Sequence, residues 1–142
     1  MTQVKVNLKR IGDAYHFEAV NQDSVKINLD SSPDMDGQNK GFRPMQLLLA
    51  AVGGCSAIDV ISILKKQRQE IKGIDIEVTG TRQAVENHSL YRKIHLHFKL
   101  EGKIEKEKAE RAVQLSVDKY CSVAKTLEPT AKISYDVTVN GN

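Results

Sequence analysis

Between Leu47 and Leu64 the chain carries a single charged side chain, Asp59, in an otherwise apolar run. So long an apolar segment has to be covered, and whatever covers it shapes the rest of the fold. Gly53, Gly54, Ser56, Asp59 and Ser62 interrupt the run, a polar content that reads as a buried core helix rather than a bilayer span. Pro44 suits the first position of such a helix. Two adjacent glycines have poor helix propensity, so the pattern predicts a break or kink at Gly53-Gly54. A second helix would then start at Cys55 and end in the charged run Lys65 to Glu70.

The segments on either side alternate with period two, the mark of strands with one apolar face. Val4, Val6 and Leu8, then Tyr15, Phe17 and Ala19, then Val25, Ile27 and Leu29 predict three antiparallel strands, with turns near Gly12-Asp13 and Asn21-Gln22-Asp23. Asp30 to Arg43 has loop composition and no period, and is expected to be mobile. Ile74, Ile76 and Val78, followed by Ile94, Leu96, Phe98 and Leu100, predict a hairpin with Asn87 and His88 in its connection. Glu105 to Lys119 has helical spacing and delivers Tyr120-Cys121 at its end; Ser122 to Leu127 suits a further short helical piece, and Ile133, Tyr135, Val137 and Val139 a last strand. The fold class is therefore α+β with mostly antiparallel pairing, and 142 residues are read as one domain, 1–142.

Several function classes are disfavoured. With 21 basic and 18 acidic residues interleaved, no Trp and 5% aromatic residues, neither a nucleic-acid platform nor a membrane-binding patch is expected. Met1 to Leu8 lacks the features of a signal peptide, so a cytoplasmic location is expected. There is no Gly-rich phosphate loop, no Gly-x-Ser-x-Gly elbow and no Cys-x-x-Cys pair, and no cofactor is expected. His95 and His97 share the outer face of a strand with Lys93 and Lys99; lacking a third ligand nearby in sequence, they are read as solvated and no metal is expected. His16 and His88 read as surface residues.

Cys55 and Cys121 remain, sixty-six positions apart. A reducing cytoplasm argues against a structural disulfide, so each thiol is either a small hydrophobe packed in the core or a chemical group. If a helix starts at Cys55, the free N–H groups of its first turn would stabilise a thiolate, while Asp59, one turn later, would oppose it if it faced the same way.

Pro44-Met45-Gln46-Leu47-Leu48-Leu49-Ala50-Ala51-Val52-Gly53-Gly54-Cys55 resembles the first cysteine helix of the OsmC/Ohr proteins, and Tyr120-Cys121-Ser122-Val123-Ala124-Lys125-Thr126-Leu127 resembles their second cysteine motif. The strings Gly-Gly-Cys-Ser-Ala-Ile-Asp-Val and Lys-Tyr-Cys-Ser-Val-Ala are similar to an OsmC-like bacterial subgroup. The resemblance implies an intertwined homodimer with two sites at its interface. It also implies reduction of organic hydroperoxides, with Cys55 attacking the peroxide and Cys121 resolving the sulfenic acid to a disulfide that a dithiol reductant reopens. The family site usually adds an arginine held by a glutamate. Here the glutamate position is Gln46, and the arginine is Arg43 or Arg10, with Arg43 adjacent to the motif. The alternative is a binding or stress-associated protein whose thiols are inert and whose cleft takes an apolar or thiol-containing small molecule.

Overall fold

The N-terminal alternation becomes three short strands in the computed structural model, which describes every residue from Met1 to Asn142: β1 (Asn7–Arg10), β2 (Phe17–Val20) and β3 (Lys26–Leu29). They form an antiparallel meander in the order β1-β2-β3, with Leu8 opposite Ala19 and Ala19 opposite Ile27. The pleat puts Leu8, Phe17, Ala19, Ile27 and Leu29 on one face. Val4 and Val6, expected within the first strand, precede it. At the second turn the Asn21 side chain accepts the N–H groups of Asp23 and Val25, a local turn that asparagine makes readily. This meander lies in the first of two compact units, Met1–Leu48; the second is Leu49–Asn142.

The loop that follows, featureless by composition, is laced by hydrogen bonds. Asp30 is buried, and its carboxylate accepts the backbone N–H groups of Ser31, Gln38 and Lys40 at 2.7, 3.2 and 3.0 Å. Phe42 returns beside β3, with reciprocal backbone bonds to Asn28 and Asp30. Desolvation alone would raise the Asp30 pKa, but the three N–H donors and the nearby His16 hold it below the ordinary value. A carboxylate so depressed stabilises the fold at pH values above the usual carboxylate range, and that contribution is lost as the pH falls through the folded-state value. Asp30→Ala should therefore speed amide exchange at Ser31, Gln38 and Lys40, and should remove part of the acid sensitivity of unfolding.

α1 (Pro44–Lys66) starts in the first unit and continues in the second. It runs unbroken through Gly53-Gly54, correcting the expected break. Each glycine costs a helix interior about 1 kcal/mol, but the flanking Leu, Ala and Ile carry the helix across, and Gly53 allows close packing. A Cβ at Gly53 would lie 3.0 Å from Val78 Cγ2, so a side chain there would require Val78 to give way. A second correction follows: Cys55 lies in the middle of α1, where its N–H belongs to the helical ladder, and has no helix N-terminus to draw on. By length and composition α1 also meets the requirement for a bilayer span despite its polar interruptions, a test that core helices pass as well. Its buried residues are Val52, Gly53, Ser56, Val60 and Leu64, while Ile58 is 68% exposed.

The second sheet has the order β4-β5-β6. β4 (Glu70–Val85) and β5 (His88–Lys103) form a long hairpin about Glu86-Asn87, where Glu86 takes a φ of 53°. β6 (Lys132–Val139) pairs parallel to β5. A parallel return requires a crossover, and the chain supplies α2 (Lys106–Leu115), a wide turn Ser116–Tyr120 and α3 (Ser122–Leu127). The alternating Ile94, Leu96, Phe98 and Leu100 of β5 are almost completely buried, as are Ala109, Ala112 and Val113 of α2. Lys106 fastens the start of α2 by donating to the carbonyls of Val137 and Asn142. The crossover thus has fixed ends, and Cys121 is carried between them.

Candidate functional site around Cys55 and Cys121

Cys55 is half-buried and Cys121 fully buried, and both are free thiols. The widened turn after α2 closes with the Cys121 N–H on the Ser116 carbonyl at 2.7 Å, five residues back. Such single π turns recur at functional positions, and the regular helix expected through Lys119 does not show this one. Cys121 then leaves the helical conformation, with ψ at 105°, and caps α3: its sulfur accepts the Ala124 N–H at 3.3 Å. On the other side Sγ faces the Val52 carbonyl of α1 at 4.0 Å, and the Cys55 thiol lies within its reach. The helix-terminus N–H expected to act on Cys55 acts on Cys121 instead.

Opposing influences set the Cys121 ionisation. Burial pushes its pKa up; the Ser56 hydroxyl and the Ala124 N–H pull it down; the neighbouring Cys55 raises it again. The net shift is upward, because a thiolate in a dry interior forfeits solvation that two donors only partly replace.

A short polar chain surrounds the pair. Ser116 Oγ donates to the Ser56 backbone carbonyl at 3.0 Å and approaches Asp59 Oδ2 at 3.5 Å. Ser56 is completely buried, and its own Oγ closes no hydrogen bond of ordinary geometry. Neither serine was singled out from the sequence. For Ser56 a signal existed, since it stands four residues after Val52 and four before Val60, on the buried stripe of the helix. For Ser116 none existed.

Gln46 and Arg43 lie in the first unit. The Gln46 side-chain carbonyl accepts the Arg43 backbone N–H at 2.9 Å, the return half of a capping box at the start of α1. The Arg43 guanidinium donates to the Gly41 carbonyl and to Asn39 Oδ1, so Gln46 does not hold it. Arg43 also lines an apolar groove of ≈ 540 Å³ with Leu8, Tyr15, Phe17, Leu29 and Pro44. Arg10 is bound to the carbonyls of Asp13 and Ala14 in its own hairpin. Each arginine is thus engaged by its own loop.

On β5, His95 and His97 both meet Asp136 of β6, at 2.8 and 2.9 Å, and His95 also bonds Ser134 Oγ at 2.7 Å. Parallel pairing of β5 with β6 brings these side chains side by side, a contact that sequence separation concealed. Desolvation would raise the Asp136 pKa, but the two imidazoles bring it below normal. No group of three or more His, Cys, Asp or Glu side chains is arranged to hold a metal ion.

Residues 37–136 match the family model described as OsmC-like protein. Among curated proteins, Protein YhfA of Escherichia coli K12 is 44% identical over 108 residues, covering 74% of this chain and 80% of that protein. A hypothetical protein from Aquifex aeolicus has a crystal structure 36% identical to this chain, with a TM-score of 0.80 and 99% of each chain covered. The structure described as the organic hydroperoxide resistance protein OsmC from Legionella pneumophila is 15% identical, with a TM-score of 0.74 and 98% of each chain covered, a likeness of fold.

Proposed function

Because the chain belongs to the OsmC-like protein family, we propose that it is a two-cysteine thiol protein that reduces organic hydroperoxides in oxidative-stress defence, working in the cytoplasm as a homodimer. One observation carries this reading: two reduced thiols from distant parts of the chain are brought into mutual reach. Their unequal exposure supports a division of roles. Cys55, half-buried, meets the peroxide; Cys121, fully buried, waits behind it. The Cys55 thiolate takes the distal oxygen of the hydroperoxide, the O–O bond breaks, and the alkoxide takes a proton and leaves as the alcohol. The resulting sulfenic acid condenses with the Cys121 thiol, releasing water and forming the disulfide, which a dithiol then reduces. The Legionella structure, described as an organic hydroperoxide resistance protein, supports the substrate class at the level of fold.

The homodimer is supported by uncovered apolar surface. Leu8 and Ile27 on the meander are 57% and 49% exposed, and α1 leaves Ile58 in the open. Light scattering should give twice the mass of the chain. Wild-type protein should consume cumene or tert-butyl hydroperoxide with a dithiol as electron donor, and one equivalent of peroxide should remove two hydrogens from each chain. No consumption with any dithiol would end the peroxidase reading.

A binding protein with inert thiols is favoured by one observation, the upward push of burial on Cys121. Alkylation separates the two readings: rapid labelling of Cys55 at neutral pH, blocked by prior peroxide, is the outcome expected of the peroxidase.

A further inference from the structure

We propose that Ser56 is a positioning residue for disulfide formation: its hydroxyl and the Ala124 N–H together ease ionisation of the Cys121 sulfur as it attacks Cys55. This rests on the two-cysteine reading above and extends it to the second chemical step.

The geometry has three parts. Ser56 is on the buried stripe of α1, one turn beyond Val52, and the Val52 carbonyl, which points along the helix towards Ser56, lies 4.0 Å from Cys121 Sγ. Ser116 clamps the segment carrying Cys121 to this same turn through its 3.0 Å bond to the Ser56 carbonyl. Across the sulfur, the Ala124 N–H donates at 3.3 Å. The Cys121 S–H therefore faces an acceptor, the Val52 carbonyl, while the Ala124 N–H is a fixed donor to the sulfur and the Ser56 hydroxyl a rotatable one.

The Ser56 hydroxyl is buried without a closed hydrogen bond, a condition native interiors usually avoid. A neutral thiol is a weak acceptor and leaves the hydroxyl unsatisfied. A thiolate is a strong one, so ionisation of Cys121 would complete the bond. Burial and the Val52 carbonyl keep the resting sulfur protonated, and the hydroxyl with the Ala124 N–H offsets part of that cost as the proton leaves, which is what an attacking sulfur needs. The ionisable group that bears on Cys121 directly is Cys55, while Asp59 stands one hydroxyl away through Ser116.

The step balances without a further reagent. Cys121 sulfur attacks Cys55 sulfur, the S–S bond forms, and the S–O bond of the sulfenic acid breaks. The hydroxide leaving Cys55 takes the proton given up by Cys121 and departs as water. Cys121 is oxidised and the Cys55 sulfur reduced, while Ser56 keeps its own proton.

Rapid mixing with one equivalent of cumene hydroperoxide should separate the two steps, sulfenic acid at Cys55 being trapped with dimedone and the disulfide counted by mass. Ser56→Ala should slow disulfide formation about ten- to a hundredfold, as expected for a lost hydrogen bond to a charged group. Its pH profile should move to higher pH, sulfenic acid should accumulate, and Ser56→Thr, which keeps the hydroxyl, should recover most of the rate. A general loss of fold would slow both steps together, leave the profile in place and overturn the proposal, as would an unaltered disulfide rate in Ser56→Ala. The ultraviolet titration of the Cys121 thiolate in a Cys55→Ala protein, with and without Ser56→Ala, decides the matter independently of peroxide chemistry. A higher Cys121 pKa without the hydroxyl upholds the role of Ser56 even if the wild type forms no sulfenic acid and the peroxidase reading falls. An unchanged titration overturns it even if that reading stands.

Discussion

Cys55→Ser should reduce hydroperoxide turnover to the background of the dithiol alone, while Cys121→Ser should still be oxidised once. The difference is expected because the proposed mechanism gives the two thiols different work, and they are differently exposed. A serine hydroxyl at position 55 has no accessible anion at neutral pH and no sulfur to accept the peroxide oxygen, so the first bond change cannot occur. With serine at 121, the oxygen reaches Cys55 and the product cannot be resolved within the chain. Mass spectrometry under non-reducing conditions distinguishes the three proteins after one equivalent of peroxide. The wild type loses two hydrogens, Cys121→Ser gains one oxygen or a bound reductant, and Cys55→Ser is unchanged. Full turnover by Cys55→Ser would contradict the assignment of the peroxidatic thiol.

Phe98→Ala should give the largest loss of stability, about 3–5 kcal/mol, or roughly 6–20 °C in Tm for a chain of this size. Phe98 is completely buried on β5 and pairs with Ile76 of β4 and Val137 of β6, so its ring lies at the centre of the second sheet. A truncated side chain there leaves a void bounded by strands on both sides, which cannot close without disturbing two registers. Thermal or urea unfolding measures the loss. Lys99→Ala, one residue on and facing outward, should stay within about 0.5 kcal/mol of wild type.

What could be read from the residues alone was set by period. Ile94, Leu96, Phe98 and Leu100 gave a strand and its buried face because alternation is enforced by the pleat itself. The α+β order and the two cysteine motifs were likewise visible in the chain. The continuity of α1 was hidden, since propensity penalises Gly53-Gly54 locally while the close packing at Gly53, where a Cβ would lie 3.0 Å from Val78 Cγ2, comes from a later strand. Nor could the order of Asp30 to Arg43 be seen: one carboxylate holds the adjacent Ser31 N–H and those of Gln38 and Lys40 farther along, and composition carries no trace of that. At the site, Cys55 and Cys121 were legible, but which of them meets a helix terminus was inverted. The error came from the supposed break at the glycines, which gave Cys55 a helix start that α1 does not have.

The parallel return of β6 to β5 has a consequence for synthesis. On the ribosome Cys55 emerges early and Cys121 much later, and the crossover that carries Cys121 is fixed at its far end only when β6 closes the sheet. Before that closure a nascent chain has a solitary sulfur and then two unacquainted ones. On the proposed mechanism, an oxidant arriving during translation would leave an unresolved lesion on Cys55, whereas the finished protein would keep its second thiol at hand.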